Sequence, residues 1–168
     1  HMRRVFLSFI LTLAAFVCAF SQISNSRERQ ITMDNGMPSN SVSCIAQDKR
    51  GFIWIGTNNG LSRYDGLRVS NFSLTEEDGS LKATAITALM PESNGNLIVG
   101  TSTGLLRFSF ITESFEPLIE EIDTLVSAIA CDKQGTLWIS TRGRGVYSYN
   151  TENESTHHYP MQEVKGNI

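Results

Sequence analysis

The sequence predicts an all-β chain built from three copies of one short sheet, and three observations predict it. The stretch Asp48 to Leu61, with Gly51, Trp54 and Thr57 inside it, recurs around Gly95 and Thr101 and again from Asp132 through Gly135 and Trp138 to Thr141. The steps are 44 residues from Gly51 to Gly95 and 40 from Gly95 to Gly135. Short apolar runs alternate with clusters of Gly, Asn, Asp and Ser, the pattern of strands joined by tight turns. Beyond residue 21 no segment keeps a helical period. A repeat of about 40–45 residues made of short strands is the mark of a β-propeller blade. The expected fold is therefore a partial β-propeller of three four-stranded blades, preceded by a signal-peptide helix.

The chain divides in order. His1 stands before a plausible start at Met2, as a cloning scar or the edge of a longer reading frame. Arg3-Arg4, the 13-residue run Val5 to Val17 and the small residues of Ala19-Phe20-Ser21 make a secretory signal peptide over residues 1–21. A membrane span needs roughly 20 apolar residues, so a signal peptide is the reading preferred over an uncleaved anchor, and the chain is expected to be exported to the periplasm. Residues 22–40 are a lead-in: a polar stretch, a short terminal strand at Ile31-Thr32-Met33, then the turn formers Asp34 to Asn40.

Blade one is expected over 41–80, with strands at Ser41 to Gln47, Phe52 to Gly56, Leu61 to Tyr64 and Leu67 to Ser73. Asp48 opens its first turn by accepting backbone N–H groups, and Gly51 closes it with a positive φ. Asn59-Gly60 marks the next hairpin. The acidic run Glu76-Glu77-Asp78 reads as a solvated loop between blades. Blade two, over 81–120, has strands at Ala85 to Met90, Asn96 to Gly100, Leu105 to Phe110 and Ser114 to Ile119. Blade three, over 121–161, has Leu125 to Cys131, Thr136 to Ser140, Val146 to Tyr149 and Thr156 to Met161. Residues 162–168 read as the start of a connection to a further blade, because three blades cannot close a ring.

One blade cannot cover both faces of its own inner strands, so the large residues there should meet the next blade. Trp54 and Trp138, with Ile98 between them in register, are expected in that inter-blade core, as are Ile53, Leu97 and Leu137 and then Ile55, Val99 and Ile139. Gly56 and Gly100 are expected to be small because strands converge there. Cys44 and Cys131 read as small core residues and not as a disulfide.

Composition narrows function by exclusion. The formal net charge is −3, and without Arg3 and Arg4 it is 12 basic against 17 acidic residues. A nucleic-acid partner would want a basic surface. No CxxC or CxH pair supports a zinc site, and no metal or other cofactor is expected. Adjacent strand residues point opposite ways, so His157 and His158 cannot share a metal and read as surface residues of an outer strand. No acid, base and nucleophile converge in the pattern, and no catalytic residue is assigned. The polar turns Thr57 to Asn59, Thr101 to Thr103 and Arg142 to Arg144 follow equivalent strands and should share one rim. Asn58, Asn59, Arg142 and Arg144 are the candidate ligand contacts, with the two arginines suited to an anionic sugar.

The string from Asp48 to Gly66, Asp-x-x-Gly-x-x-Trp-Ile-Gly-Thr-x-x-Gly-Leu-x-x-Tyr-Asp-Gly, resembles the two-component regulator propeller repeat. Asn35 to Val42 resembles the segment leading into that family's first blade. The likeness runs over about residues 31–161 and weakens in the second copy, where Glu92 and Ile98 replace Asp and Trp, and in the third, where Ser140 replaces Gly. It implies the periplasmic sensor region of a hybrid two-component regulator of the Bacteroidetes type, responding to glycan-derived oligosaccharides. It also implies further blades, an inner-membrane anchor, a histidine kinase and a homodimer in the parent protein, while this chain itself would be non-catalytic. The competing reading is a propeller enzyme of the streptogramin-lyase or quinone-dehydrogenase type. Against the latter, Asp48 and Gly51 stand one residue too close and no calcium-ligand set is evident.

Overall fold

A computed structural model describes residues 30–74 and 85–161. The signal peptide at 1–21, the acidic run at 76–78 and the connection at 162–168 lie outside these residues. All the strands belong to one unit, Ile31–Ile168. They form three antiparallel four-stranded sheets, each in simple sequence order. Blade one holds β1 (Val42–Gln47), β2 (Ile53–Thr57), β3 (Gly60–Tyr64) and β4 (Val69–Phe72). Blade two holds β5 (Ile86–Pro91), β6 (Leu97–Thr101), β7 (Leu105–Ser109) and β8 (Ser114–Ile119). Blade three holds β9 (Val126–Cys131), β10 (Thr136–Thr141), β11 (Gly145–Asn150) and β12 (Thr156–Tyr159). The expected all-β blades are present, strand for strand.

The first strands are the inner ones: β5 packs on β1 and β2, and β9 packs on β5 and β6. Two cores fill the seams between sheets. Trp54, Leu61, Ile86, Leu97, Val99 and Phe108 are buried between blades one and two. Ile98, Leu105, Val126, Leu137, Ile139 and Tyr149 are buried between blades two and three. Alternation along a strand sends Leu97 and Val99 to one neighbour and Ile98 to the other. This is how one sheet supplies both of its faces.

The glycine expectation is borne out by the close approach of the next blade. A Cβ on Gly56 would lie 2.5 Å from Cys44 Sγ and 2.6 Å from Ile86 Cγ2. One on Gly100 would lie 2.7 Å from Val126 Cγ1. Ile86 and Val126 open the inner strands of the following blades. The third copy carries Ser140, whose hydroxyl instead meets that of Ser127 at 2.8 Å. Gly56→Ala is expected to lower stability by about 1–3 kcal/mol, the usual cost of overpacking a filled core. Denaturant titration checks this, and an unchanged midpoint would contradict the crowding.

Three expectations are corrected. Ile31–Met33 is not a strand. A single 3-10 turn, Met33–Asn35, stands there, because local groups meet its polar needs: Asn35 Oδ1 accepts from Thr32 N at 3.2 Å and Thr32 Oγ1 at 3.0 Å, and Asn40 Oδ1 accepts from Met33 N at 2.9 Å. Such side-chain bonds offer the backbone an alternative to a sheet ladder. Trp138 is 39% exposed while Trp54 is fully buried. Trp54 faces blade two, whereas Trp138 faces away from it, and no described sheet covers that side. Cys131 is exposed and not a core residue; it and half-buried Cys44 are both free thiols.

Each inner strand also carries an irregularity that the sequence pattern did not announce. The pairing register shifts at Ser43, Thr87 and Ser127, the same place in each blade. In blades one and three the bulge turns a hydroxyl toward the backbone, while the Thr87 hydroxyl of blade two is buried without a partner among the described residues. Ser43 Oγ donates to the Gly56 carbonyl at 3.0 Å and also reaches the Ile86 carbonyl of the next blade, and Ser127 Oγ donates to the Ser140 carbonyl at 3.2 Å.

Candidate functional site

The polar turns after the second strands share one local design. Thr57, Thr101 and Thr141 are buried, and each hydroxyl donates across its turn, to the carbonyls of Gly60, Gly104 and Gly145 at 3.0, 2.9 and 2.8 Å. The next backbone N–H of each turn reaches back to the start of the inner strand: Asn58 to Ser41 O, Ser102 to Ala85 O and Arg142 to Leu125 O. The threonines are struts that hold three turns at one rim, each against the segment that leads into its blade.

The predicted contacts on that rim separate into two pairs, with blade two between them. Asn58 and Asn59 are used by the scaffold. Asn58 Nδ2 donates to Ser41 Oγ at 3.0 Å and Asn59 Nδ2 to the Pro38 carbonyl at 3.3 Å, tying down the lead-in. Arg144 pairs with Asp123 at 3.0 Å, both largely exposed. Arg142 engages through its backbone, its carbonyl accepting from Thr124 Oγ1 at 3.2 Å. Its guanidinium has no ion pair among the described residues. Beside this turn lies a hollow of about 300 Å³ lined by Thr103, Gly104, Ile119, Glu120, Ile122 and Asp123. Asp123 therefore joins the arginine turn to the hollow. It lies on the connection between blades, where no repeat position pointed to it.

The opposite rim holds the turns before the second strands. Gly51, Gly95 and Gly135 take φ of +88°, +95° and +82°, which L side chains rarely adopt. Asp48 does more than form its turn. Its Oδ1 accepts from the N–H groups of Arg50 at 2.9 Å and Phe52 at 3.1 Å, and its Oδ2 from Trp54 Nε1 at 3.0 Å and Arg50 Nη2 at 2.8 Å. Burial pushes this carboxyl up, but the Trp54 indole, the Arg50 guanidinium and the Arg50 N–H outweigh it and hold it below the ordinary range. Asp132 repeats the arrangement, with Gln134 N and Thr136 N each at 2.9 Å and Trp138 Nε1 at 3.0 Å. The Trp138 indole, followed by the Thr136 N–H, lowers its pKa. The spacing Asp-x-x-Gly-x-x-Trp thus encodes one carboxylate bridging a turn and an indole.

Blade two makes both changes together. Where the indole is missing, Glu92 takes Arg107 instead, Nε to Oε2 at 3.1 Å and Nη2 to Oε1 at 3.3 Å. Arg107 lies opposite Ile98 in the register, so the cation occupies the side on which a tryptophan would stand. Burial lowers the Arg107 pKa, and the Glu92 charge more than restores it.

The histidines face opposite ways, as expected. His158 lies opposite Tyr147 and stacks on it at 4.2 Å, and its Nε2 lies 2.6 Å from the Arg144 carbonyl. His157 lies opposite Ser148 and meets the Tyr159 ring at 4.5 Å. Among the described residues no three His, Cys, Asp or Glu side chains gather to hold a metal ion.

Two stretches, residues 36–59 and 120–143, match the family described as two component regulator propeller. They cover the lead-in with the first hairpin of blade one, and the same hairpin of blade three. No curated protein matches the chain in sequence. Among solved structures, the extracellular domain of a protein assigned to a hybrid two component system of B. thetaiotaomicron superposes with a TM-score of 0.69 at 25% identity, over 79% of this chain and 20% of that one. The extracellular domain of a protein assigned to a one component system of the same organism gives 0.65 at 23%, over 77% and 18%. Virginiamycin B lyase from Staphylococcus aureus gives 0.61 at 15%, over 77% and 44%, a likeness of fold alone. The chain spans about a fifth of the length of the first two. Residues 36–59 and 120–143 are thus two-component regulator propeller repeats, and the three four-stranded sheets match propeller blades in fold.

Proposed function

We propose that this chain is part of the periplasmic, ligand-sensing propeller of a hybrid two-component regulator, and that its rim at Arg142 and Arg144 takes an anionic, glycan-derived oligosaccharide. The observation that carries the reading is the pairing of repeats of this family with a fold that follows an extracellular domain of such a system over most of the chain. The rim chemistry supports the ligand class. Arg142 offers a free guanidinium fork for a carboxylate or sulfate, and Asp123 beside Arg144 offers an acceptor for sugar hydroxyls. In this reading the chain does no chemistry of its own. Output belongs to a membrane-anchored, homodimeric histidine kinase further along the parent protein, and other blades complete the ring. Asp48 and Asp132, the repeated carboxylates, are committed to indoles and turns, which favours a sensor over a lyase.

The test is oligosaccharide binding by the parent protein's complete propeller, measured by calorimetry on uronic-acid and sulfated oligosaccharides. Arg142→Ala with Arg144→Ala is expected to weaken binding by about tenfold or more, since a hydrogen bond to a charged group is worth about 1.5–3 kcal/mol. Binding that ignores both changes removes this rim from the ligand site.

A further inference from the structure

The two seams between blades are built differently at matching positions. In register, Asn96 stands where blade one has Phe52, Ile98 where it has Trp54, and Asn94 where it has Arg50. On the facing blade, Thr151 stands where blade two has Phe110. The first seam is closed by these groups. The Phe52 and Phe110 rings lie 6.5 Å apart, and the Arg50 guanidinium sits 3.5 Å over Phe110 while donating to the Gly95 carbonyl at 3.1 Å. The second seam has none of those rings. It opens instead into a cleft of about 590 Å³, with Asn94, Asn96 and Thr151 in its lining beside the apolar Met90 and Leu137. That volume is ordinary for a small-molecule site, about 300–1,000 Å³.

Charge gives the cleft a sign. Glu92 and Arg107 both line it and neutralise each other. Glu154 and Glu116, the latter opposite Arg107 in the β7–β8 register, line it too, and among the described residues Arg107 is paired with Glu92 and not with either of them. A second hollow of about 400 Å³ shares Arg107 and Glu154 and adds Glu120 and Glu121. The Asn94, Asn96 and Thr151 side chains are engaged in the turns, to Asn96 N, Phe110 N and the Gly135 carbonyl, so the seam presents the two carboxylates beside an apolar stretch. No aromatic ring lines the cleft, so a sugar has no face to stack on.

We propose that the seam between blades two and three is a binding cleft for organic cations that carry ammonium groups on an aliphatic stem. The ammonium ends meet Glu116 and Glu154, and the stem lies along Met90 and Leu137. The cleft sits at the end of β10 away from Arg142, so it is separate from the oligosaccharide rim and stands whether or not that rim binds.

Calorimetry of the parent protein's complete propeller with spermidine tests it. Saturable binding is expected at low salt, weakening about tenfold between roughly 0.05 and 0.3 M salt as the charges are screened. Glu116→Gln with Glu154→Gln is expected to weaken binding about tenfold or more. Asn96→Phe puts into the cleft the side chain that blade one carries at this place, giving up the bond that Asn96 Oδ1 accepts from Phe110 N at 3.2 Å, and it should abolish binding. Circular dichroism identical to that of the unaltered propeller confirms folded variants. The proposal is overturned if spermidine gives no saturable heat, if the double glutamine variant binds as the parent does, or if maltose binds and is lost equally in Asn96→Phe.

Discussion

Trp54→Ala is expected to lower the free energy of unfolding by about 3–5 kcal/mol, the range for deleting a fully buried large aromatic. Three effects add. The indole is fully buried in the seam between blades one and two. It packs edge-on against Phe108 at 5.4 Å and tilted against Phe72 at 5.7 Å, and those two rings lie 4.9 Å apart. Its Nε1 is also a donor to buried Asp48. Trp138→Ala changes the same residue of the repeat, yet should cost only about 1–2 kcal/mol, because less apolar surface leaves water at a site 39% exposed. Trp138 keeps its bond to Asp132 and touches Tyr159 at 5.7 Å. Urea titration of both variants reads the difference directly. Equal losses would mean that the seam between blades is not what stabilises the arc.

Asp48→Ala is expected to cost about 3 kcal/mol, since it removes a charged acceptor from two backbone N–H groups, an indole and a guanidinium at once. The same carboxylate sets an acid limit. Its folded pKa is held below the ordinary carboxylate value, burial being outweighed by the Trp54 and Arg50 donors. A depressed folded pKa means that the unfolded chain takes up a proton first as pH falls. The stabilisation is therefore complete above the unfolded value of about 3.9 and is lost as pH drops through the folded one. Asp132 is shifted in the same direction and acts in the same window. Urea midpoints should be flat from about pH 7 to 5 and fall below about pH 4. Asp48→Asn should be less stable at neutral pH and show a shallower acid decline. An acid limb identical to that of the parent chain would refute the role given to Asp48.

Much of this was legible in the residues. Strand positions followed from short apolar runs between turn formers, because a tight turn needs particular residues at particular places and says so locally. Gly51, Gly95 and Gly135 announced turns, and Gly56 and Gly100 announced a close approach. Asp48 was legible as a turn former but not as the partner of Trp54, because that bond runs from a turn to the inside of a sheet and leaves no local mark. The pairing of Glu92 with Arg107 was hidden for the same reason: each alone looks like an ordinary surface charge. Ile31–Met33 read as a strand on composition, but pairing needs a neighbour, and Asn35 and Asn40 supplied bonds first.

The candidate site was legible as a rim but not as a set of contacts. Equivalence of Thr57, Thr101 and Thr141 placed the three turns together. Which side chains remain free was decided by what lies beside them. Asn58 and Asn59 are taken by Ser41 and Pro38, Arg144 by Asp123, and Arg142 is left.

By itself the sequence determined the repeat, the strand order within each blade and the all-β class, since these rest on periodicity and turn chemistry confined to a few neighbouring residues. Only the tertiary structure decided which face of each sheet is covered. Trp54 and Trp138 are identical in their local pattern, and Phe52 and Asn96 hold equivalent places, yet one tryptophan is buried and the other is not, and one seam is closed while the other is open. Burial depends on what the adjoining blade brings to the same position, and that is a property of two segments some forty residues apart, which neither segment carries alone.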